Sequence, residues 1–218
     1  MKLREAIDAY RFDAVDTAAP PFVEDQKLIK LFSEAQIEAC RRARLIVDST
    51  SSLARVDFAA GDELIPISPL VISIKRARLE SVSKPLSWAT AREMDACFPG
   101  WDTNTTRSTP FVLVADYETD ALRPYPLPKV DDCLLMTIAR EPEYEIASVN
   151  DEFEINARYH RGLVEWVKYR VFGSSDTDLY DATKSQDALG AFVAEFGVAP
   201  GAINERFEFA NYHDVGEM

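Results

Sequence analysis

The sequence predicts an α+β protein: a helical bundle built from the N- and C-terminal helices, carrying an inserted antiparallel β subdomain. Two periodicities and a set of breakers predict it. Apolar residues recur at three- and four-residue spacing in residues 1–50 and again in 143–197, the signature of amphipathic helices. In residues 51–142 the period falls to two, with one short helix, and Gly, Pro and Asp punctuate the segments. Residues 198–218 follow neither period and form a C-terminal tail. No repeat of 20–50 residues is visible, so a solenoid is excluded.

Leu3, Ala6, Ile7 and Tyr10 share one face of a first helix, which Ala18-Ala19-Pro20-Pro21 breaks. Glu24 and Asp25 open a second helix at the positive end of its dipole. Its stripe is Leu28, Leu31, Phe32, Ala35, Ala39, Ala43 and Ile46, and Asp48-Ser-Thr-Ser-Ser ends it. Arg41, Arg42 and Arg44 fall in its last turn, where cations are favoured. Val56 and Phe58 then alternate with polar neighbours, Gly61-Asp62 turns the chain, and LIPI follows. In VISIKRARLE, Val71, Ser73, Lys75, Ala77 and Leu79 are expected on one face of a strand, with Ile72, Ile74, Arg76 and Arg78 on the other. Thr90-Ala-Arg-Glu93 is a capping box and starts a short helix that ends near Phe98-Pro99-Gly100. Residues 111–117, 121–125 and 133–139 read as strands. Pro124, Pro126 and Pro128 keep the middle one short or at an edge.

After Pro142 the helical period returns. Asn150 is the expected N-cap of a helix whose stripe is Phe153, Ala157, His160, Leu163, Val164, Val167 and Val171. The last helix is expected from about Leu179 to Phe196, with Ala182, Ser185, Leu189, Phe192, Val193 and Phe196 inward and Gly197 as its stop.

The chain of 218 residues carries a net charge of −13, unevenly placed. Residues 1–100 hold 14 Lys/Arg against 15 Asp/Glu, and residues 101–218 hold 10 against 22. A protein that grips nucleic-acid phosphates needs the opposite sign. The acidity suits either a solvated surface or a wall past which a polyanion slides. Three cysteines, without a CxxC pair, indicate a reduced, intracellular setting. The opening MKLREAIDAYRF lacks the apolar core of a secretion signal, and PLVISI and CLLM are too short to span a bilayer.

Phosphate-loop, nucleophile-elbow and HExxH patterns are absent from the sequence. His160 lies on an apolar stripe and reads as a core histidine; His213 lies in the tail. With no cluster of His and Cys, no metal site is expected, and no cofactor or catalytic residue. Asp116-Tyr-Glu118-Thr-Asp120 and Asp176-Thr-Asp178 imitate calcium loops, but Ala121 and Asp181 stand where the turn glycine belongs. Asp131-Asp132 reads as turn chemistry, and the sequon Asn104-Thr105-Thr106 as incidental.

The order of several segments resembles the bacteriophage head-to-tail connector family, the adaptor, neck or head-completion proteins. The likeness covers roughly residues 2–196. It runs through LREAIDAYRFD, LIKLFSEAQIEACRRAR with its Ser33-Glu34-Ala35-Gln36 centre, and FAAGDELIPI with Ile65-Pro66 after a glycine turn. ATAREMDACFPGWDTNTTRSTPFVLV, LRPYPLP and VNDEFEINARYHRGLVEWVKYRVFG continue it. The resemblance implies a structural virion protein of the neck, assembled in the host cytoplasm, and not an enzyme. It implies a homo-oligomeric ring, usually of twelve copies, docked on the portal and followed by a tail or further neck protein. DNA would pass its lumen without sequence-specific binding, and no membrane is involved. Contact residues are expected in the loop at Trp101, Asn104 and Arg107, and in the tail at Phe207, Phe209 and Tyr212, which would bind portal or a neighbouring subunit. The alternatives are another neck or tail structural protein, such as a tail terminator, or a small hydrolase using Asp116, Glu118 and Asp131.

Overall fold

The computed structural model describes residues 2–175 and 179–201. Its helices are α1 (Leu3–Ala14), α2 (Asp25–Ala43), α3 (Ala91–Cys97), α4 (His160–Phe172) and α5 (Ala182–Phe196). Its strands are β1 (Ile46–Asp48), β2 (Arg55–Phe58), β3 (Ile65–Pro66), β4 (Val71–Leu79), β5 (Ser87–Ala89), β6 (Arg107–Ser108), β7 (Val112–Glu118), β8 (Ala121–Tyr125), β9 (Leu127–Pro128) and β10 (Asp132–Arg140). The α+β class is as the periodicities predict. The chain divides into two compact units, one of Met1–Ile46 with Glu141–Ala199, the other built on Val47–Arg140.

In the first unit α4 is the central helix, packed by α1, α2 and α5. Leu163, Val164, Trp166, Val167, Val171 and Phe172 are all buried, so α4 shows apolar residues on more than one side. Gly162 lets α5 approach: a Cβ there would overlap the Glu195 carboxylate and the Phe196 ring. The face of α1 is as expected, with Leu3, Ala6, Ile7 and Tyr10 buried. Asp16 is fully buried beyond it and accepts hydrogen bonds from Arg11 (3.0 Å) and from the Phe22 (2.7 Å) and Val23 (3.3 Å) backbones.

Three helix boundaries differ from the sequence reading. The second helix stops at Ala43, because Arg44 adopts left-handed backbone (φ 50) and Ile46 enters a strand. Asn150 is not a cap. The Asp151 carboxylate accepts from the Ala147 and Ser148 backbones, folding a turn there. Residues 152–156 are not helical, with a bend at Glu154 and Ile155, and Phe153 and Ile155 are buried between exposed Glu152, Glu154 and Asn156. Asn156 caps the 3-10 turn that leads into α4, so Ala157 lies exposed outside the helix. The last helix begins at Ala182, where Asp181 accepts from the Thr183 and Lys184 backbones. Ala188 takes the buried place expected of Ala182.

In the second unit β10 is central to one sheet, with β4 along one side and β2 and β1 along the other. A second sheet has the order β3-β8-β7-β5, and β6 pairs with β9. Both sheets supply one core, with Phe58, Val71, Ile74, Leu79, Leu134 and Met136 from the first and Ile65, Leu113 and Leu122 from the second. Two pairings are parallel, β5 with β7 and β6 with β9, where antiparallel pairing was expected throughout. Parallel neighbours need a long crossover, which α3 and the loop after it provide between β5 and β7, and the β7–β8 hairpin between β6 and β9. The proline-bounded strand β8 is short, yet internal. Its β3 neighbour pairs only at Ala121 and Leu122, so no β3 residue pairs opposite Pro124.

The faces of β4 also differ from simple alternation. Arg76 pairs with Thr137 and Ile74 with Ile138, so Lys75 is bulged; Ser73 pairs with Ala139 and Val71 with Arg140, so Ile72 is bulged. Each bulge shifts the alternation by one. Val71, Ile74, Ala77 and Leu79 thereby share the core face, and Lys75 is left exposed.

Candidate interaction surface

The expected loop lies between α3 and β7. Thr90 Oγ1 accepts from the Glu93 backbone (3.2 Å) and Glu93 Oε2 accepts from the Thr90 backbone (2.7 Å), closing the capping box. Gly100 turns the chain at φ +79. Trp101 then folds inward and is 2% exposed, packed with Met94, Val112 and Val114. Its Nε1 donates to Asp95 (2.9 Å). β7 is therefore buried on both faces, Leu113 toward the main core and Val112 and Val114 toward Trp101, which explains the unbroken apolar run FVLV.

Arg123 locks this loop. Only 3% exposed, it lies 5.4 Å from the Trp101 ring and 4.9 Å from Tyr117, and donates to Asp102 O and to Glu63 (3.4 Å). Asn104 Oδ1 accepts from the Thr106 backbone (2.9 Å), an Asx turn that employs the sequon side chain. Arg107 is exposed in β6, its guanidinium over Gly61, where any Cβ would overlap it. Trp101 thus holds the loop from inside, while Asn104 is half-buried and Arg107 exposed.

Sequence reasoning passed over the aromatic residues at the loop's two ends. Phe98, Phe111 and Tyr125 form a triangle with ring centroids 5.1–6.1 Å apart. Phe98 and Phe111 stay more than a third exposed, beside the surface residues of the loop. The signal was their position, one aromatic immediately before the loop and one after. Partly exposed aromatic clusters supply large contact area at low entropy cost, a property of interfaces.

Two of the carboxylates proposed for hydrolysis are engaged as local acceptors, and the third lies at a turn. Asp116 accepts from the Ala91 backbone (2.6 Å), Asp131 from Ala60 (2.8 Å), and Glu118 ends β7 at its hairpin turn. Asp132 holds Ser81 and the Cys133 backbone. Asp57, Asp62, Glu80, Asp131 and Asp132 line a shallow groove together with Cys133. Burial, and the Asp57 carboxylate beside it, push the Cys133 thiol up to about 11, away from nucleophilic thiolate. Among the described residues, no group of three His, Cys, Asp or Glu is placed to hold a metal ion. Cys40, Cys97 and Cys133 are all free thiols.

His160 is buried, its Nε2 2.9 Å from Ile155 O and its ring 4.8 Å from Phe153. Arg42 is turned inward. It donates to Glu38 (2.8 Å) and to Gly197 O (3.1 Å), with its guanidinium over Trp166 and Phe192. Among the described residues no helix is long and apolar enough to cross a membrane. Phe207, Phe209, Tyr212, Asp176 and Asp178 lie outside the described residues.

The described surface therefore offers contact area and charge, and its buried polar groups serve the scaffold. No curated protein matches the chain. A family model does, that of the SU10 adaptor protein, over residues 1–208. The match extends past Gly197 into the tail and includes Phe207. It spans nearly the whole of both compact units, and the chain belongs to the SU10 adaptor protein family of phage head-to-tail adaptors.

Proposed function

We propose that the chain is a structural component of the virion neck that forms a ring between portal and tail and lets DNA pass through its lumen. The family match over residues 1–208 carries this reading. The physical features support it. The acidic half of the sequence suits a channel wall, because attractive charge would hold a passing polyanion at discrete points. The exposed Arg107 and half-buried Asn104, with Phe98 and Phe111 beside them, suit a contact with a neighbouring subunit or portal. Twelve copies is the number the family resemblance implies, and the tail aromatics Phe207, Phe209 and Tyr212 are its proposed anchors.

The test is reconstruction of the neck at side-chain resolution, with copy number read independently by native mass spectrometry of the chain bound to portal. A closed ring whose lumen displays more Asp and Glu than Lys and Arg is the expected result. A monomer on the portal, or a basic lumen, overturns it.

A further inference from the structure

The chain has two dense basic runs, and the fold treats them differently. In residues 41–44, Arg41 and Arg42 are both paired with Glu38. In residues 75–78 the bulge leaves Lys75 and Arg76 exposed, without a hydrogen bond or ion pair among the described residues. Arg78 beside them donates only to the carbonyl of Leu79. The outer side of β4 meets Pro85 and Leu86 near Arg78 and Ala77, while Lys75 and Arg76 lie beyond that cover.

The acidic residues after β10 are sorted the same way. Asp151 and Glu154 serve as acceptors for backbone N–H groups. The side chains of Glu143, Glu145 and Glu152 are exposed and make no hydrogen bond or ion pair among the described residues, although the Glu143 N–H donates to Glu154. Glu143 and Glu145 flank Tyr144, which is 74% exposed, and buried Pro142 and Ile146 fix both ends of this tip. The Tyr144 ring and the two carboxylates beside it are therefore displayed on the surface.

We propose that the Glu143-Tyr144-Glu145 tip of one copy docks on the Lys75-Arg76 bulge of the next copy. Two carboxylates meet two cations, and the Tyr144 ring offers its face to a guanidinium. The two patches are different surfaces of one chain, so when the contact is made one way only it is heterologous and repeats from copy to copy, as a ring requires. The inference rests on the ring reading above.

Charges and bulges on an edge strand also deter unwanted strand pairing, and that protection works with charge of either sign. Charge reversal separates the roles. Lys75→Glu/Arg76→Glu and Glu143→Lys/Glu145→Lys each place like charges face to face, which costs several kcal/mol across an interface. Each should raise the concentration for half-assembly at least about tenfold, measured by sedimentation with and without portal. The chain carrying all four changes should recover to within about threefold of the original. As a milder check, Glu143→Gln/Glu145→Gln should flatten the salt dependence of assembly. Normal assembly of either reversed chain, or failure of the four-fold variant to recover, overturns the contact. So does a Lys75→Glu/Arg76→Glu chain that assembles normally yet loses affinity for duplex DNA, which would assign the cations to phosphate. If the unaltered chain forms no ring even on portal, the ring reading falls and this contact with it.

Discussion

Asp48 and Arg140 form a buried ion pair, Oδ2 to Nε at 2.9 Å, in the second unit. Burial opposes ionisation of Asp48, but hydrogen bonds from Thr50 and Ser51 and the Arg140 guanidinium outweigh it, and its carboxyl is held well below the usual range. A carboxyl whose folded value lies below its unfolded value of about 3.9 stabilises fully above that pH. That stability is lost as pH falls through the folded value. Asp48→Ala removes the carboxylate that faces a buried guanidinium and should cost about 3–5 kcal/mol, read by urea denaturation at neutral pH. Its deficit against the original chain should narrow as pH falls below about 4. A pH-independent deficit would show that Asp48 does not titrate with folding. A second residue contrast concerns the loop. Trp101→Ala removes a core side chain and should cost about 3–5 kcal/mol, while Asn104→Ala, on an exposed Asx turn, should stay within about 1 kcal/mol. At this scale the sequence marked His160 well, because a histidine on an apolar stripe has few exposed solutions, whereas Trp101, expected among the contact residues of the loop, is buried against Met94, Val112 and Val114. The sequence could not mark Arg123, whose burial depends on Trp101, Tyr117 and Asp102 meeting it from distant positions.

Elements were legible where the local signal was self-contained. The Thr90–Glu93 capping box encodes both of its hydrogen bonds within four residues, and α3 starts where it predicts. Thr90→Ala should therefore cost about 1 kcal/mol, and the penalty should shrink in a Glu93→Ala background, because the two side chains satisfy each other's backbones. Additive penalties in that double-mutant cycle would sink the coupling. Boundaries failed where two periods coincide. Ile46 continues the spacing of α2 but belongs to β1, since nothing local announces the left-handed Arg44. Phe153 fits a helical stripe, while the alternation Phe153, Ile155 that the fold uses is only two repeats long. The β4 bulges were hidden because the choice among Ile72, Ile74 and Lys75 as core residues is made by pairing with β10, not by β4 itself. Deleting Lys75 removes one bulge but leaves Ile74 and Arg76 on the adjacent partners Ile138 and Thr137, so Ile74 keeps its core face. That deletion should leave unfolding cooperative in urea, as should Lys75→Ala; loss of cooperativity in the deletion alone would show that the bulge itself specifies the pairing.

At the scale of the whole molecule the fold class follows from periodicity, but the assembly surfaces are what the folded chain leaves unused. Most buried polar side chains in both units have a scaffold partner, so the surplus chemistry lies in exposed aromatics, free charges and the tail. The tail is apolar enough to bind, with Phe207, Phe209 and Tyr212, yet it has no helical or strand period with which to build a core of its own. We propose that these aromatics bind a partner, where they would supply most of the contact energy. Removing residues 201–218 should leave the far-UV circular dichroism and thermal midpoint of the remaining chain nearly unchanged, because both compact units keep their cores. The same truncation should abolish attachment to portal or ring assembly, measured by co-sedimentation. Phe207→Ala/Phe209→Ala should reproduce most of that loss, since aromatic anchors dominate binding energy. Full assembly of the truncated chain would assign the attachment to the described surface alone, to Phe98, Phe111 and the exposed loop.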